Sequence, residues 1–197
     1  MKRIIIALVL VLATVLSFTA CNKKKENENA NGDANGDREV TACEHEMKYS
    51  LNEDKKGYTL TGIGSCDCED VVIPASYKDL PVTAIGERAF FNCQTAKSVT
   101  IPKSVTQIWH RAFANCRSLE RVNIPSSVTG MGFYVFMGCT SLESVTIPAS
   151  VTYIGGDIFQ MCGDGVTVNC EAKSQPKEWD PMWNKAGCTV NWGYTGE

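Results

Sequence analysis

Histidine is scarce in this chain: among 197 residues only His45 and His110 occur. A histidine-activated nucleophile needs a contacting partner and an orienting group, and two isolated imidazoles give little from which to assemble them. An excess of positive charge is also missing, with 19 basic against 22 acidic residues and a net charge of −3. That balance gives no support for nucleic-acid binding. The apolar run from Ile4 to Leu16 covers 13 residues, short of the roughly 20 that span a bilayer. Phosphate-loop sequences are absent too, because Gly62-Ile63-Gly64 and Gly155-Gly156 lack the required continuation and read as turns. Asp33-Ala34-Asn35-Gly36-Asp37 has a calcium-like composition without a full twelve-residue loop, and reads as linker. No cofactor, resident metal or catalytic residue is implied.

What the chain does have is a period. Phe90, Phe113, Phe136 and Phe159 stand 23 residues apart, as do Cys93, Cys116, Cys139 and Cys162, and Ile101-Pro102, Ile124-Pro125 and Ile147-Pro148 keep the same interval. A period of this size marks a solenoid, whose units bury their apolar faces only by stacking on one another. Val122 and Ile124, then Val145 and Ile147, alternate with outward residues as in a short strand that proline ends. A second short extended piece is expected around Val128 to Met131 and Val151 to Ile154. The segment carrying Ala112-Phe113 is too short for an independent helix and predicts a single helical or 3₁₀ turn that drives the ring inward. The fold expected is therefore an α/β repeat solenoid with stacked parallel strands and a continuous phenylalanine spine. A degenerate earlier copy runs from Val71-Val72-Ile73-Pro74 to Cys93, with its extra residues in an exposed loop around Ser76 to Pro81.

The flanks follow other rules. Lys2-Arg3, the apolar run and Ser17-Phe18-Thr19-Ala20 before Cys21 read as an export signal over residues 1–20. It resembles a bacterial lipoprotein signal, which makes Cys21 the acylated first residue and anchors the chain to a membrane. Residues 21–42 then form a polar tether without aromatic residues. In residues 43–70, Met47 to Leu51 and Tyr58 to Ile63 predict a hairpin that caps the first edge of the stack. The solenoid occupies residues 71–169, with Val166 to Asn169 as the last ladder strand, and an irregular C-terminal cap occupies 170–197. Trp179, Trp183 and Trp192 in that cap suit packing, or alternatively a carbohydrate platform.

Cysteine is abundant, with ten residues. Acylation of Cys21 leaves nine, so at least one thiol stays unpaired within a monomer. The four repeat cysteines are expected to point inward as small, unreactive hydrophobes, since uniform stacking holds neighbouring Cβ atoms farther apart than a disulfide wants. Cys43, His45, Cys66 and Cys68 contain zinc-ligand types, but the spacing is tighter than a zinc knuckle. A disulfide from Cys43 to Cys66 or Cys68 is favoured instead, with Cys170 to Cys188 a comparable candidate.

The unit Leu119-Glu120-Arg121-Val122-Asn123-Ile124-Pro125, Val128, Met131-Gly132, Val135-Phe136 and Cys139 resembles the leucine-rich repeats of the BspA-like, treponemal-type surface proteins. The ending from Asn169-Cys170-Glu171-Ala172 through Trp192-Gly193-Tyr194 is similar to theirs as well. The resemblance implies a right-handed leucine-rich repeat stack on a bacterial cell envelope or surface, associated with adhesion to host, matrix or microbial proteins. On this chain the strand face supplies the candidate contacts. Lys97, Glu120 and Glu143 form one row, Ser98, Arg121 and Ser144 the next, and Thr100, Asn123, Thr146 and Asn169 a third. Glu120 beside Glu143 is repulsive unless Arg121 reaches between them. Trp109 stands where Gly86, Gly132 and Gly155 occupy the other copies, and is either corner packing or a distinctive contact. The expected partners are host, matrix or envelope proteins. A glycan-binding protein using Trp109 and the C-terminal aromatics is one alternative, and a structural envelope scaffold is another.

Overall fold

The computed structural model describes residues 47–65, 67–163 and 165–196. The export signal, Cys21, the tether, Cys43, His45 and Cys66 lie outside the described residues.

Hydrophobic alternation produces two mainly parallel strand ladders from very short strands. The hairpin forms as expected: β1 (Lys48–Leu51) pairs antiparallel with β2 (Tyr58–Gly62). A front ladder follows from the strand that precedes each proline. It contains β3 (Asp70–Val72), β6 (Ser98–Thr100) and β8 (Arg121–Asn123), then β10 (Ser144–Ile147), β12 (Thr167–Cys170) and β13 (Thr189–Trp192). A second sheet contains β1 and β2, then β5 (Leu80–Ile85), β7 (Gln107–Ile108), β9 (Gly130–Met131) and β11 (Tyr153–Ile154), and β4 (Ser76–Tyr77) joins it through β5. Parallel pairing at one residue step per coil explains why equivalent positions fall 23 residues apart: Ile85, Ile108, Met131 and Ile154 are register partners in sequence.

The core sits between these ladders, and the phenylalanine spine runs through it. Phe90, Phe113, Phe136 and Phe159 are all at most 1% exposed. Their ring centroids are 4.8, 5.5 and 5.8 Å apart along the series, the last two pairs stacked within 14° of parallel. Such contacts add about 0.5–1.5 kcal/mol each beyond the area they bury.

The expected helical or 3₁₀ turn does not form, and no helix occurs among the described residues. Bonds of the i to i+3 type are present, for example Ala89 N–H to the Gly86 carbonyl and Phe91 N–H to that of Arg88. Left-handed residues break them into successive β-turns. Arg88, Arg111, Tyr134 and Asp157 have φ of 54° to 59°, and Asn92, Asn115, Gly138 and Met161 have φ of 59° to 71°. Each pair flanks a spine phenylalanine. The reason is intermolecular in form but internal to the chain: alternate amides turn to the next coil instead of back along their own. Phe90 N–H donates to the Ala112 carbonyl at 2.8 Å, Phe113 to Val135 at 3.0 Å and Phe136 to Ile158 at 2.8 Å. The turn segment is thus a third ladder between coils.

Both ends depart in detail from expectation. The second hairpin strand, β2, pairs parallel with β5 and so continues the second sheet. Beyond Asn169 the front ladder gains one more strand, because β13 pairs parallel with β12 in the register Thr189 to Thr167. The inserted loop is a two-residue hairpin turn at Lys78 and Asp79, with φ of 46° and 63° as a type I′ turn requires. Its Tyr77 ring is not merely exposed, since it stacks on Tyr49 at 4.2 Å and meets Tyr58 edge-on at 5.0 Å. At the far end Trp179 and Trp183 are 2% and 3% exposed. Their indole N–H groups donate to the Val151 carbonyl and to Gln175 Oε1, both at 3.1 Å.

The spine makes a sharp prediction. Phe136→Ala removes a ring that stacks on two neighbours and should cost about 3–5 kcal/mol in chemical denaturation. Phe91→Ala, at the adjacent type of position but 41% exposed, should cost no more than about 0.5 kcal/mol. Equal effects of the two substitutions would contradict the stacked core.

Candidate functional site

On the front ladder, strand parity sends Val99, Val122 and Val145 inward and leaves their neighbours in solvent. Asp70, Ser98 and Arg121 are partners in register, as are Val72, Thr100 and Asn123. Ser144 pairs with Thr167, which pairs with Thr189, and Thr146 pairs with Asn169, which pairs with Asn191. The expected rows are therefore present, but as two blocks, because β8 and β10 belong to separate three-stranded ladders. The break falls where Glu120 and Glu143 occupy successive strand entrances, and like charges set side by side disfavour pairing there.

The charged groups on this face are held by contacts at the surface. Lys97 Nζ lies 2.9 Å from Glu69 Oε2, so its partner is the preceding coil and not Glu120. The hydrogen bond and charge of Glu69 raise the Lys97 pKa above its ordinary value. Ser98 Oγ donates to Asp70 Oδ1 at 2.6 Å. Arg121 turns back to Glu120 Oε2 at 3.4 Å and leaves Glu143 without an ion pair among the described residues. Thr100, Asn123, Glu143 and Ser144 are exposed, and Thr146 is half-buried. Exposed pairs such as these are screened by water and salt and are easily exchanged for contacts to a partner.

Trp109 does not join this face. It follows β7 in the second sheet and is 47% exposed. At the same corner of the next two coils an added Cβ on Gly132 or Gly155 would stand 2.7 Å from the backbone nitrogen of His110 or Phe133, so those coils need glycine. The C-terminal tryptophans do not supply an open platform: Trp179 and Trp183 are buried against each other at 5.0 Å, and Trp192 packs beside them at 5.8 Å from Trp179.

The thiols are structural. Cys116 Sγ donates to the Phe90 carbonyl at 3.0 Å, Cys139 to Phe113 at 3.1 Å and Cys162 to Phe136 at 3.0 Å. Cys139 is pushed well above the ordinary thiol range by its neighbour Cys116 and by burial. Burial raises Cys162 to about 11 and Cys170 to about 12. His110 is engaged elsewhere, its Nδ1 accepting from Phe133 N–H at 2.9 Å. Cys68 is disulfide-bonded and is not a zinc ligand; its partner lies outside the described residues. The Cys170 to Cys188 bridge is not made, and both are free. Register explains this, since Cys170 pairs across from Trp192, while Cys188 precedes β13 and lies beside Val166.

These repeats match the BspA type leucine rich repeat region in six copies over residues 64–175. The chain belongs to that family. Among solved structures it is similar to a leucine-rich repeat protein of T. pallidum, with 27% identity over 76% of this chain and 64% of the other, and a TM-score of 0.62. It is also similar to one from Bacteroides ovatus, with 31% identity over 68% of this chain and 41% of the other, at TM-score 0.56. A third, from Bacteroides capillosus, is 31% identical over 62% of this chain and 94% of the other, also at 0.56. The chain thus spans less than two thirds of the first two relatives. No curated protein matches it. The family and fold are generally non-catalytic, and a leucine-rich repeat domain points to protein–protein interaction in bacteria.

The thiol geometry predicts an order of reactivity and a pH dependence. Iodoacetamide at pH 8 should modify the half-buried Cys162 and Cys188 before Cys116, Cys139 and Cys170, as read by peptide mapping. An unfolded thiol titrates near 9 whereas folded Cys162 holds its proton to about 11. Its contribution to stability is therefore complete below pH 9 and is lost as pH rises toward 11. Cys162→Ser should shallow that alkaline decline in denaturation midpoint, and an unchanged decline would count against it.

Proposed function

We propose that this chain is an exported bacterial surface lipoprotein that holds a non-catalytic solenoid away from the membrane and binds a protein partner through its front ladder, with adhesion as its role. Several observations support the reading. Membership of the BspA type repeat family favours protein interaction. The sequence before Cys21 has the charge, apolar run and small residues of a lipoprotein signal, and the polar tract after it suits a tether.

One observation carries the choice of face. The front ladder repeats its inward residues faithfully, while on the outside the coil carrying Arg121 and Asn123 departs from the Ser98 and Thr100 before it and the Ser144 and Thr146 after it. Solenoid stability asks nothing of those outward positions beyond solubility, so the departure at Arg121 and Asn123 is free to encode a partner. The surface ion pairs of Lys97 and Arg121 are weak enough to be surrendered on binding.

Two experiments test the reading. With immobilised host extracellular-matrix proteins and purified envelope proteins as targets, the triple variant Glu120→Ala, Arg121→Ala, Asn123→Ala should bind at least about tenfold more weakly than the parent. Equal binding moves the site off this face. In a bacterial host, radiolabelled palmitate should enter the parent chain and not Cys21→Ser, which should appear in the soluble fraction; labelling of both would remove the anchor.

A further inference from the structure

The front ladder is not a flat face. A cavity of about 440 Å³ opens at the strand entrances of its middle coils, lined by Glu120, Leu142, Glu143, Gly163, Gly165 and Val166 among others. The repeat explains why it is there. Ala96, Leu119, Leu142 and Gly165 stand 23 residues apart, and the first three are buried. The coil of Gly165 therefore lacks the inward leucine of the two coils before it, and a Cβ added to Gly165 meets nothing within 4 Å. Gly163 likewise stands where the two preceding coils have Arg117 and Thr140. The space of two missing side chains becomes a hollow beside Leu142.

The hollow carries unbalanced charge. Glu120 and Glu143 line it from successive coils, which stand about one strand spacing of 4.7–4.9 Å apart, and like charges so placed destabilise one another. Glu143 has no ion pair among the described residues. Arg121 reaches Glu120 Oε2 at 3.4 Å with its own side chain 70% exposed, and it leaves Oε1 for a ligand. Leu142 and Val166, both buried, give the same hollow an apolar wall. Glu143, Gly163 and Gly165 are exposed, so the hollow is open to solvent.

Charge and size select the occupant. An anion meets two carboxylates of its own sign, and a neutral ligand strips water from them while leaving their repulsion in place. A divalent calcium-type cation takes about six or more oxygen ligands, and no group of three or more His, Cys, Asp or Glu side chains gathers to hold one among the described residues. The volume lies toward the lower end of the roughly 300–1,000 Å³ of ligand sites, and admits one long side chain. A guanidinium has donors on two edges of a planar fork, which lets one group satisfy both carboxylates. Its methylene stem covers apolar surface on the way. We propose that this cavity seats an exposed arginine of the protein partner, with the guanidinium between Glu120 and Glu143 and the stem against Leu142 and Val166. The inference rests on the front ladder as the protein-binding face, and it gives that partner its chemistry.

The test titrates the isotope-labelled full chain with an acetylated, amidated heptapeptide of glycine and serine around one central arginine, and follows the backbone amides by NMR. Saturable shifts are expected at Glu120, Glu143, Gly163 and Gly165. A central lysine should bind at least about threefold more weakly, and citrulline, which keeps the shape without the charge, should not bind. Glu143→Gln and Ser141→Trp should each weaken binding at least about tenfold, the first by removing a carboxylate and the second by closing the cavity with both carboxylates in place. Glu53→Gln, the same change of charge in the exposed hairpin turn, should stay within about twofold. Amide spectra establish that each variant is folded; should Ser141→Trp not fold, Thr140→Trp on the same exposed wall carries the comparison. Equal binding of the lysine or citrulline peptide, shifts confined elsewhere, or binding indifferent to either cavity variant overturns the proposal. The immobilised protein targets separate this inference from the reading it rests on. A target lost by the front-ladder triple variant but held by Glu143→Gln as tightly as by the parent keeps the face and removes the arginine seat. Peptide binding in the cavity with no protein target held keeps the seat and removes the face.

Discussion

Everything in this molecule depends on keeping one coil in register over the next, and the group that enforces it is the spine carbonyl. The Phe90 carbonyl accepts Cys93 N–H at 2.9 Å from its own turn and Cys116 Sγ at 3.0 Å from the coil above. The Phe113 carbonyl accepts Cys116 N–H at 3.3 Å and Cys139 Sγ at 3.1 Å, and Phe136 repeats the arrangement with Cys139 and Cys162. A buried carbonyl has two lone pairs, and a thiol is small and apolar enough to reach the second without bringing water. Slipping the coils by one residue breaks these bonds and separates the stacked rings at the same time. Register is therefore set twice, by hydrogen bonding and by shape.

The same constraint explains what could be read from the sequence and what could not. Inward residues recur because every coil meets an equivalent neighbour, so Phe113, Cys116, Val122 and Ile124 announced the core and the spine directly. The turn around each phenylalanine was less legible. Asn92, Asn115 and Gly138 are residue types that accept a left-handed conformation, and their common offset hinted at it. Arg88, Arg111 and Tyr134, and Met161 at the other turn position, hold that conformation with no such signature. Their strain is compensated by the amide that each adjoining turn gives to the next coil, a tertiary effect that local propensity does not encode.

On the front ladder the rows of outward residues followed from parity alone, but their division did not. The clash between Glu120 and Glu143 was visible as a pair of letters; that Arg121 stays with Glu120 instead of bridging to Glu143, and that the hydrogen-bonded ladder lapses between β8 and β10, was not. Likewise Lys97 had two carboxylates within reach of its ladder position, and its turn toward Glu69 is a property of the fold alone. Rival surface pairings of this kind differ little in free energy, because water and salt screen both. Sequence reading separates large terms such as core burial well and small ones such as rival ion pairs poorly.

A solenoid built this way divides its residues cleanly between obligation and freedom. Inward positions cannot vary without disturbing two interfaces at once, whereas an outward position contacts mostly water and its own row. Departures from the repeat on the outside are then the informative ones. Trp109 replaces a glycine that the next two coils need for close approach, and a bulky ring at such a corner gives nothing to the spine. Arg121 and Asn123 stand between the Ser98 and Thr100 of one coil and the Ser144 and Thr146 of the next. The inner sequence specifies a scaffold common to the family, so whatever is particular to this protein's recognition has to be written in those few outward side chains.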